Sequence, residues 1–127
     1  MTGEFLLDTC TILWAVADPE RLSPGARRAI RSAALVISVA SYWEVAVKAR
    51  KGQLSIADPI SWWDRATRAL ASRVLSIHSN HVAVLTGLVE HHKDPFDRIL
   101  IAQAIADGLT IITSDEKIHR YPVKVQW

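Results

Sequence analysis

Short uninterrupted apolar runs alternate along the chain with longer stretches in which apolar residues recur at helical spacing. The runs are Phe5-Leu6-Leu7, Leu35-Val36-Ile37, Val74-Leu75-Ser76-Ile77 and Thr110-Ile111-Ile112-Thr113, with a last short one from Val123 to Val125. Continuous rather than alternating apolar residues fit strands buried on both faces. Between them, Thr11 to Val16 predicts a helix stopped by Asp18-Pro19. Ser23-Pro24 opens a second, with Ser as cap and Pro in the first turn, and places Ala26, Ala29, Ile30 and Ala33 on its inner side. Ala40 to Lys51 predicts a third helix with Trp43, Ala46 and Val47 facing inward. Its basic last turn suits the helix dipole, and Gly52 ends it. Further helices are predicted over Pro59 to Ala71, over Asn80 to Val89, and from Asp94-Pro95 to Ala106, the last terminated by Gly108. About one helical turn over Ser114 to Ile118 precedes the final strand.

Strands separated by helices predict a parallel sheet covered on both faces, a three-layer α/β/α architecture with right-handed crossovers. At 127 residues the chain is expected to form a single domain over 1–127. That length buries about two-thirds of the surface an unfolded chain exposes, so no disulfide is needed. Half the residues are apolar, 22% are charged, and Gly and Pro number five each, which excludes a disordered, collagenous or low-complexity chain. The one cysteine, Cys10, permits no intrachain disulfide, fits a reducing compartment, and is expected to be buried and inert. No apolar run approaches the roughly 18 residues of a membrane span. The N-terminus has no basic segment of a signal peptide, so a cytoplasmic location is expected. The formal charge of +2 argues neither for nor against nucleic acid.

The carboxylates are more informative. Asp8 ends the first strand, Glu44 lies in the first turns of the helix after the second, Asp94 and Asp97 open the long helix, and Asp115 follows the fourth strand. In an open parallel sheet the carboxyl ends of the strands share one edge, where ligands bind. Taken singly, each acid has a capping role: Asp8 before the first helix, Asp115 before the short one. Ser41-Tyr42-Trp43-Glu44 and Asp94-Pro95-Phe96-Asp97 both fit capping boxes. Taken together, acids at one end of one sheet repel each other and raise one another's pKa unless cations neutralise them. Hard oxygen donors without convergent His or Cys select Mg²⁺ or Mn²⁺, and divalent ions suit phosphodiester hydrolysis.

Leu7-Asp8-Thr9, Ser41-Tyr42-Trp43-Glu44, His92-Lys93-Asp94-Pro95-Phe96-Asp97-Arg98 and Thr113-Ser114-Asp115 together resemble the PIN-domain family, and within it the VapC-type toxins of toxin–antitoxin pairs. The resemblance runs from residue 4 to the C-terminus. It implies a Mg²⁺- or Mn²⁺-dependent ribonuclease silenced by a cognate antitoxin, with Asp8, Glu44, Asp97 and Asp115 as the acidic, metal-holding site. It also implies a sheet in order 3-2-1-4-5 and a homodimer. Asp94 is then an accessory acid, capping the helix or holding a metal-bound water.

Other residues carry narrower expectations. The hydroxyls of Thr9 and Thr113 either orient carboxylates or cap helices. Arg98 contacts RNA phosphate or pairs with Asp94 at helical i,i+4 spacing. The five histidines lack partners for a zinc site and are expected at the surface. Adjacent Trp62 and Trp63 diverge by about 100° on a helix, so one is expected in an exposed apolar surface that, with Trp14, anchors a protein partner. Against the nuclease reading stand a signalling receiver domain, a metal-dependent phosphatase, and a catalytically silent PIN-like module that binds RNA or protein. A receiver needs paired acids after its first strand and an aspartate ending its third, whereas this chain has Asp8 alone and Ile77-His78. A silent module has no use for four mutually repelling acids.

Overall fold

A computed structural model describes residues 3–127. The elements follow in the order β1 (Glu4–Leu7), α1 (Thr9–Ala17), α2 (Pro24–Ser32), β2 (Ala34–Ser38), α3 (Val39–Arg50), α4 (Pro59–Ala69), β3 (Arg73–Leu75), α5 (Ser79–Thr86), α6 (Pro95–Asp107), β4 (Thr110–Ile112) and β5 (Val125–Gln126). Single 3₁₀ turns cover Pro19–Arg21 and Ile118–Arg120. The helix starts are set by side chains that accept the first free backbone N–H groups. Asp8 takes the Thr11 N–H at 2.8 Å, Ser23 that of Ala26 at 3.0 Å, Ser38 that of Ala40 at 3.0 Å, and Asp94 that of Phe96 at 2.8 Å. Gly108, at φ 67°, closes α6 in the left-handed conformation that glycine adopts without strain.

All strand pairings are parallel, in the order β3-β2-β1-β4-β5. The order expected from the family resemblance is the one observed. The pleat sends alternate residues to opposite faces. Leu6, Val36 and Ile111 join Leu100, Ile101 and Ala104 of α6 in one core. Leu7, Leu35, Ile37 and Ile112 join Ile12, Ala26, Val45, Trp62 and Ala66 from α1 to α4 in the other. This is the two-sided burial that the apolar triplets predict. In register, Leu6 lies between Val36 and Ile111, so β1, β2 and β4 end at one edge. The chain leaves β1 for β2 on one side and returns to β4 on the other. The topological switch point therefore lies between β1 and β4, directly ahead of Asp8 and Thr113.

Several local expectations are corrected. α3 takes its cap from Ser38, not Ser41, and buries Ala40, Ser41, Glu44 and Val45. That phase turns Trp43 outward, 59% exposed, with its ring edge-on to Phe96 at 4.9 Å. α4 ends at Ala69 because Ala71 takes φ 46°, and β3 stops at Leu75. The helical turn predicted at Ser114–Ile118 forms later, over Ile118–Arg120. Cys10 is exposed rather than buried. Among the described residues no helix is long and apolar enough to cross a membrane.

Candidate active site

Asp8 ends β1 and caps α1, and both tasks bury it: it is 5% exposed. One carboxylate oxygen accepts the Thr11 N–H, and the Thr113 hydroxyl donates to the other. Burial raises its pKa above the usual carboxylate value, opposed by those hydrogen bonds, while Asp115 adds to the rise. One turn into α3, Glu44 is 4% exposed. The Thr9 hydroxyl donates to its Oε1 at 2.6 Å and sits 3.0 Å from the Ser41 hydroxyl. Lys48, one turn further along α3, pairs with Oε2 at 2.5 Å. That hydrogen bond raises the lysine's pKa and keeps it charged.

Asp97 stands in the first turn of α6, whose cap is Asp94. Its pKa is pushed up to about 8 by burial first and then by the charges of Asp94, Glu44, Asp8 and Asp115. Asp115 follows β4; its Oδ1 accepts the Lys117 N–H at 2.9 Å, and its own N–H donates to the Thr113 hydroxyl at 3.0 Å. Between Asp97 and Asp115 lies the ring of His92, with Nε2 3.0 Å from Oδ2 of Asp97 and 2.9 Å from Oδ2 of Asp115. The crevice thus gathers all five acids that the chain places at this edge of the sheet.

The accessory residues sort themselves by contact. Thr9 and Thr113 orient the Glu44 and Asp8 carboxylates, so the capping alternative falls to Asp8. Asp94 caps α6, accepting the N–H groups of Phe96 and Asp97. Arg98 makes no ion pair with Asp94. Its guanidinium instead reaches the carbonyls of Leu88, Val89 and His92 at 3.0–3.3 Å, gathering the loop before α6. Backbone carbonyls clustered in that loop outbid a carboxylate already engaged as a cap.

Two histidines expected at the surface are buried. His81 docks α5 on α6, with Nε2 3.1 Å from Asp107, and His92 enters the crevice. Neither was found by looking for zinc spacing; the signal for His92 was its place two residues before Asp94. Lys48 and Ser41 also join the site, Ser41 beside the Thr9 hydroxyl instead of as the cap of α3. Both follow from α3 alone, since Ser41 is three residues before Glu44 and Lys48 four after it. Cys10 sits near the same acids. Desolvation by the crevice wall and the charges of Asp8, Glu44 and Asp97 push its thiol up to about 11, so it is protonated at neutral pH.

Neither Trp62 nor Trp63 is the exposed residue that one of the two is expected to be. Trp62 is buried, and Trp63 is half-buried, stacked on Tyr42 at 4.8 Å. The turn of α4 does separate them, but α3 supplies an aromatic roof for the second. Trp14 is half-buried, edge-on to Trp127 at 5.9 Å and under the Arg21 guanidinium. It lines a concavity of about 600 Å³ between α1 and the segment before α4, together with Leu13, Val16, Leu54, Ile56 and Trp62. That groove is mainly apolar, with Asp18, Arg21, Asp58 and Arg65 also among its lining residues, and none of the five acids lines it, though α1 borders both the groove and the acidic crevice.

The donor set fits a divalent cation. Oxygens predominate, as Mg²⁺ and Mn²⁺ prefer. Among the described residues Lys48 is the one lysine or arginine in ion-pair contact with any of the five acids. Negative charge is therefore under-compensated, and after burial it is these neighbouring charges that raise the pKa of Asp97.

The chain is similar to known proteins in sequence and in fold. The sequence profile of the PIN domain matches residues 5–124. The chain is 31% identical over 123 residues to a protein of Mycobacterium tuberculosis named Ribonuclease VapC22, covering 92% of each. Its fold is similar to a chain of DNA-bound VapBC from Salmonella typhimurium, with TM-score 0.69 and 16% identity over 98% of this chain and 97% of that one. It is also similar to a chain of FitAcB from Neisseria gonorrhoeae, with TM-score 0.64 and 18% identity over 95% of each.

Proposed function

This chain belongs to the PIN domain family, and on that premise we propose that it is a metal-dependent endoribonuclease toxin, neutralised by a cognate antitoxin. The observation that carries the reading is the convergence of five carboxylates on the switch point of the sheet with one lysine to balance them. A relative sharing 31% identity carries the name ribonuclease, which supports RNA as the substrate.

Asp8, Glu44, Asp97 and Asp115 would hold Mg²⁺, or Mn²⁺ in its place. When bound, such an ion lowers the pKa of a water and offsets charge on the scissile phosphate. The protein's own part is to have the oxygens waiting. Thr113 turns Asp8, Thr9 turns Glu44, and Lys48 neutralises Glu44 so that two buried carboxylates do not simply repel. Asp97 keeps its proton at neutral pH in the metal-free site and loses it as divalent charge enters. Incubating end-labelled RNA with the purified protein tests the reading. Cleavage with Mg²⁺ or Mn²⁺ that stops in EDTA and returns on adding the metal is the expected outcome. Cleavage indifferent to EDTA, or none with any RNA offered, would overturn it.

The same reading includes an antitoxin and a homodimer. The groove beside Trp14 has the apolar lining that a partner's anchor residues require, and α1 leads from it to Asp8. A partner laid along α1 can reach the acids and silence them. Truncating the anchor site, Trp14→Ala, should weaken antitoxin binding by about 2 kcal/mol, or roughly thirtyfold, and leave RNA cleavage unchanged. Titration of the folded variant against the cognate antitoxin checks this; wild-type affinity would move the interface elsewhere.

A further inference from the structure

His92 occupies the loop between α5 and α6 and is 8% exposed. It is held there from several directions. Its backbone N–H donates to the Tyr121 hydroxyl at 2.9 Å, which donates in turn to the Val89 carbonyl at 2.8 Å. The Arg98 guanidinium binds the His92 carbonyl at 3.3 Å. The ring is fixed as well. Its Nδ1 accepts the Asp94 N–H at 3.1 Å, so Nδ1 carries no proton. The neutral ring therefore bears its hydrogen on Nε2. That single N–H is hydrogen-bonded to Oδ2 of Asp115 at 2.9 Å, and Oδ2 of Asp97 lies 3.0 Å from the same Nε2.

The three atoms lie within 4.8 Å of one another, a spacing that would also suit three ligands of one metal ion. The tautomer decides between the two roles. To ligate, Nε2 must present a lone pair, which moves the hydrogen to Nδ1. It would then point at the Asp94 N–H, setting donor against donor in a buried loop. As a hydrogen-bond donor, the ring satisfies every polar neighbour it has.

We propose that His92 is a positioning residue for the proposed nuclease site, a fixed donor that holds the Asp115 carboxylate by a hydrogen bond while Oδ2 of Asp97 rests against the same Nε2, so that the two acids present a preformed pair to the divalent ion. The proposal rests on the metal-dependent reading of the site. Once Asp97 gives up its proton to the incoming divalent charge the two carboxylates repel, and an N–H set against both offsets part of that repulsion without adding a net charge that would compete with the cation. Among the described residues Oδ1 of Asp97 takes no hydrogen bond, so that oxygen is left for the ion. Hydrogen-bonded partners of metal-ligating carboxylates typically account for 10–100-fold in metal affinity.

The test measures Mn²⁺ binding by calorimetry on the full-length protein without RNA, so that it does not depend on catalysis. His92→Ala should bind Mn²⁺ about 10–100-fold more weakly than wild type. His92→Gln, whose terminal amide can return a donor near the Nε2 position, should recover most of the loss. Pulsed EPR of Mn²⁺ bound to wild type should show no directly coordinated imidazole nitrogen. Equal affinity in a folded His92→Ala protein would overturn the proposal, and so would a nitrogen coupling from His92. Should His92→Ala fail to fold, the Gln variant and the EPR spectrum still decide: affinity in the Gln variant as low as 100-fold below wild type, or bound nitrogen, overturns it. A wild type that binds no Mn²⁺ would overturn the metal-dependent reading itself, whereas normal wild-type binding with an unaffected Ala variant overturns the role of His92 alone.

Discussion

Asp97→Asn should lower RNA cleavage by at least about a hundredfold and, in the same protein, raise the melting temperature of the metal-free form. The two effects share one cause. Asp97 sits in the middle of the acidic crevice, and its carboxyl is pushed from 3.8 to about 8 by burial and by Asp94, Glu44, Asp8 and Asp115. Asparagine has the same shape and still offers an oxygen near His92 Nε2, but it needs no proton held against its ordinary pKa and has no charge with which to hold a divalent ion. The relief at neutral pH is on the order of a few kcal/mol, enough to move melting by several degrees in a chain of this size. Calorimetry in EDTA and cleavage of labelled RNA in Mg²⁺ check both halves. Full activity in the variant would remove Asp97 from the site, and a lower melting temperature would show that its charge is compensated in a way the structure does not contain. Asp8→Asn is expected to lose activity in the same way. Its fold should survive, because the asparagine oxygen can still accept the Thr11 N–H and cap α1.

The parts of this site that could be read from sequence are those fixed by strand ends. Once Phe5-Leu6-Leu7 and Thr110-Ile111-Ile112 are taken as parallel neighbours, Asp8 and Asp115 must share an edge, and Glu44 and Asp97 follow from helices that start there. The order of the strands came from the family resemblance rather than from the apolar pattern, which is equally compatible with other parallel orders. Helix phase was less legible. With Trp43 and Glu44 adjacent on α3, the apolar residue was given the inner face. In the fold that face turns toward the crevice, so the acid is buried and the tryptophan takes the edge of Phe96. Trp63 shows the converse: a residue off the core face of its own helix is covered by Tyr42 from another. Least legible were His92, in a loop that no period governs, and the contacts that Arg98 of α6 makes back to that loop. His92 and Arg98 owe their roles to carbonyls and carboxylates brought together from Leu88 to Tyr121, and only the folded chain supplies that list.

Raising the pH from 5 to 8 should destabilise the metal-free protein and tighten its binding of Mg²⁺ or Mn²⁺. In the folded protein Asp97 holds its proton up to about 8, while the unfolded chain releases it near 3.8. Between those values the native state binds the extra proton, so stability falls as pH rises, by at most about 1.4 kcal/mol per pH unit for this one group. Below 3.8 both states are protonated and the contribution is level; above about 8 both are ionised and the full penalty is in place. Asp8, also raised by burial, acts in the same direction. A divalent ion needs the ionised carboxylate, so its binding must displace that proton. Affinity should therefore rise by up to about tenfold per pH unit until Asp97 is ionised in the free protein, and then level off. Calorimetric titration of Mn²⁺ at pH 6, 7 and 8, in buffers of different ionisation enthalpy, counts the protons released: close to one at pH 6 and fewer at pH 8. Asp97→Asn should flatten the pH dependence of melting and abolish most of the proton release. Metal affinity that is constant from pH 6 to 8 in the wild type would mean that Asp97 is already ionised in the metal-free crevice, and that its negative charge is balanced there by something other than the bound cation.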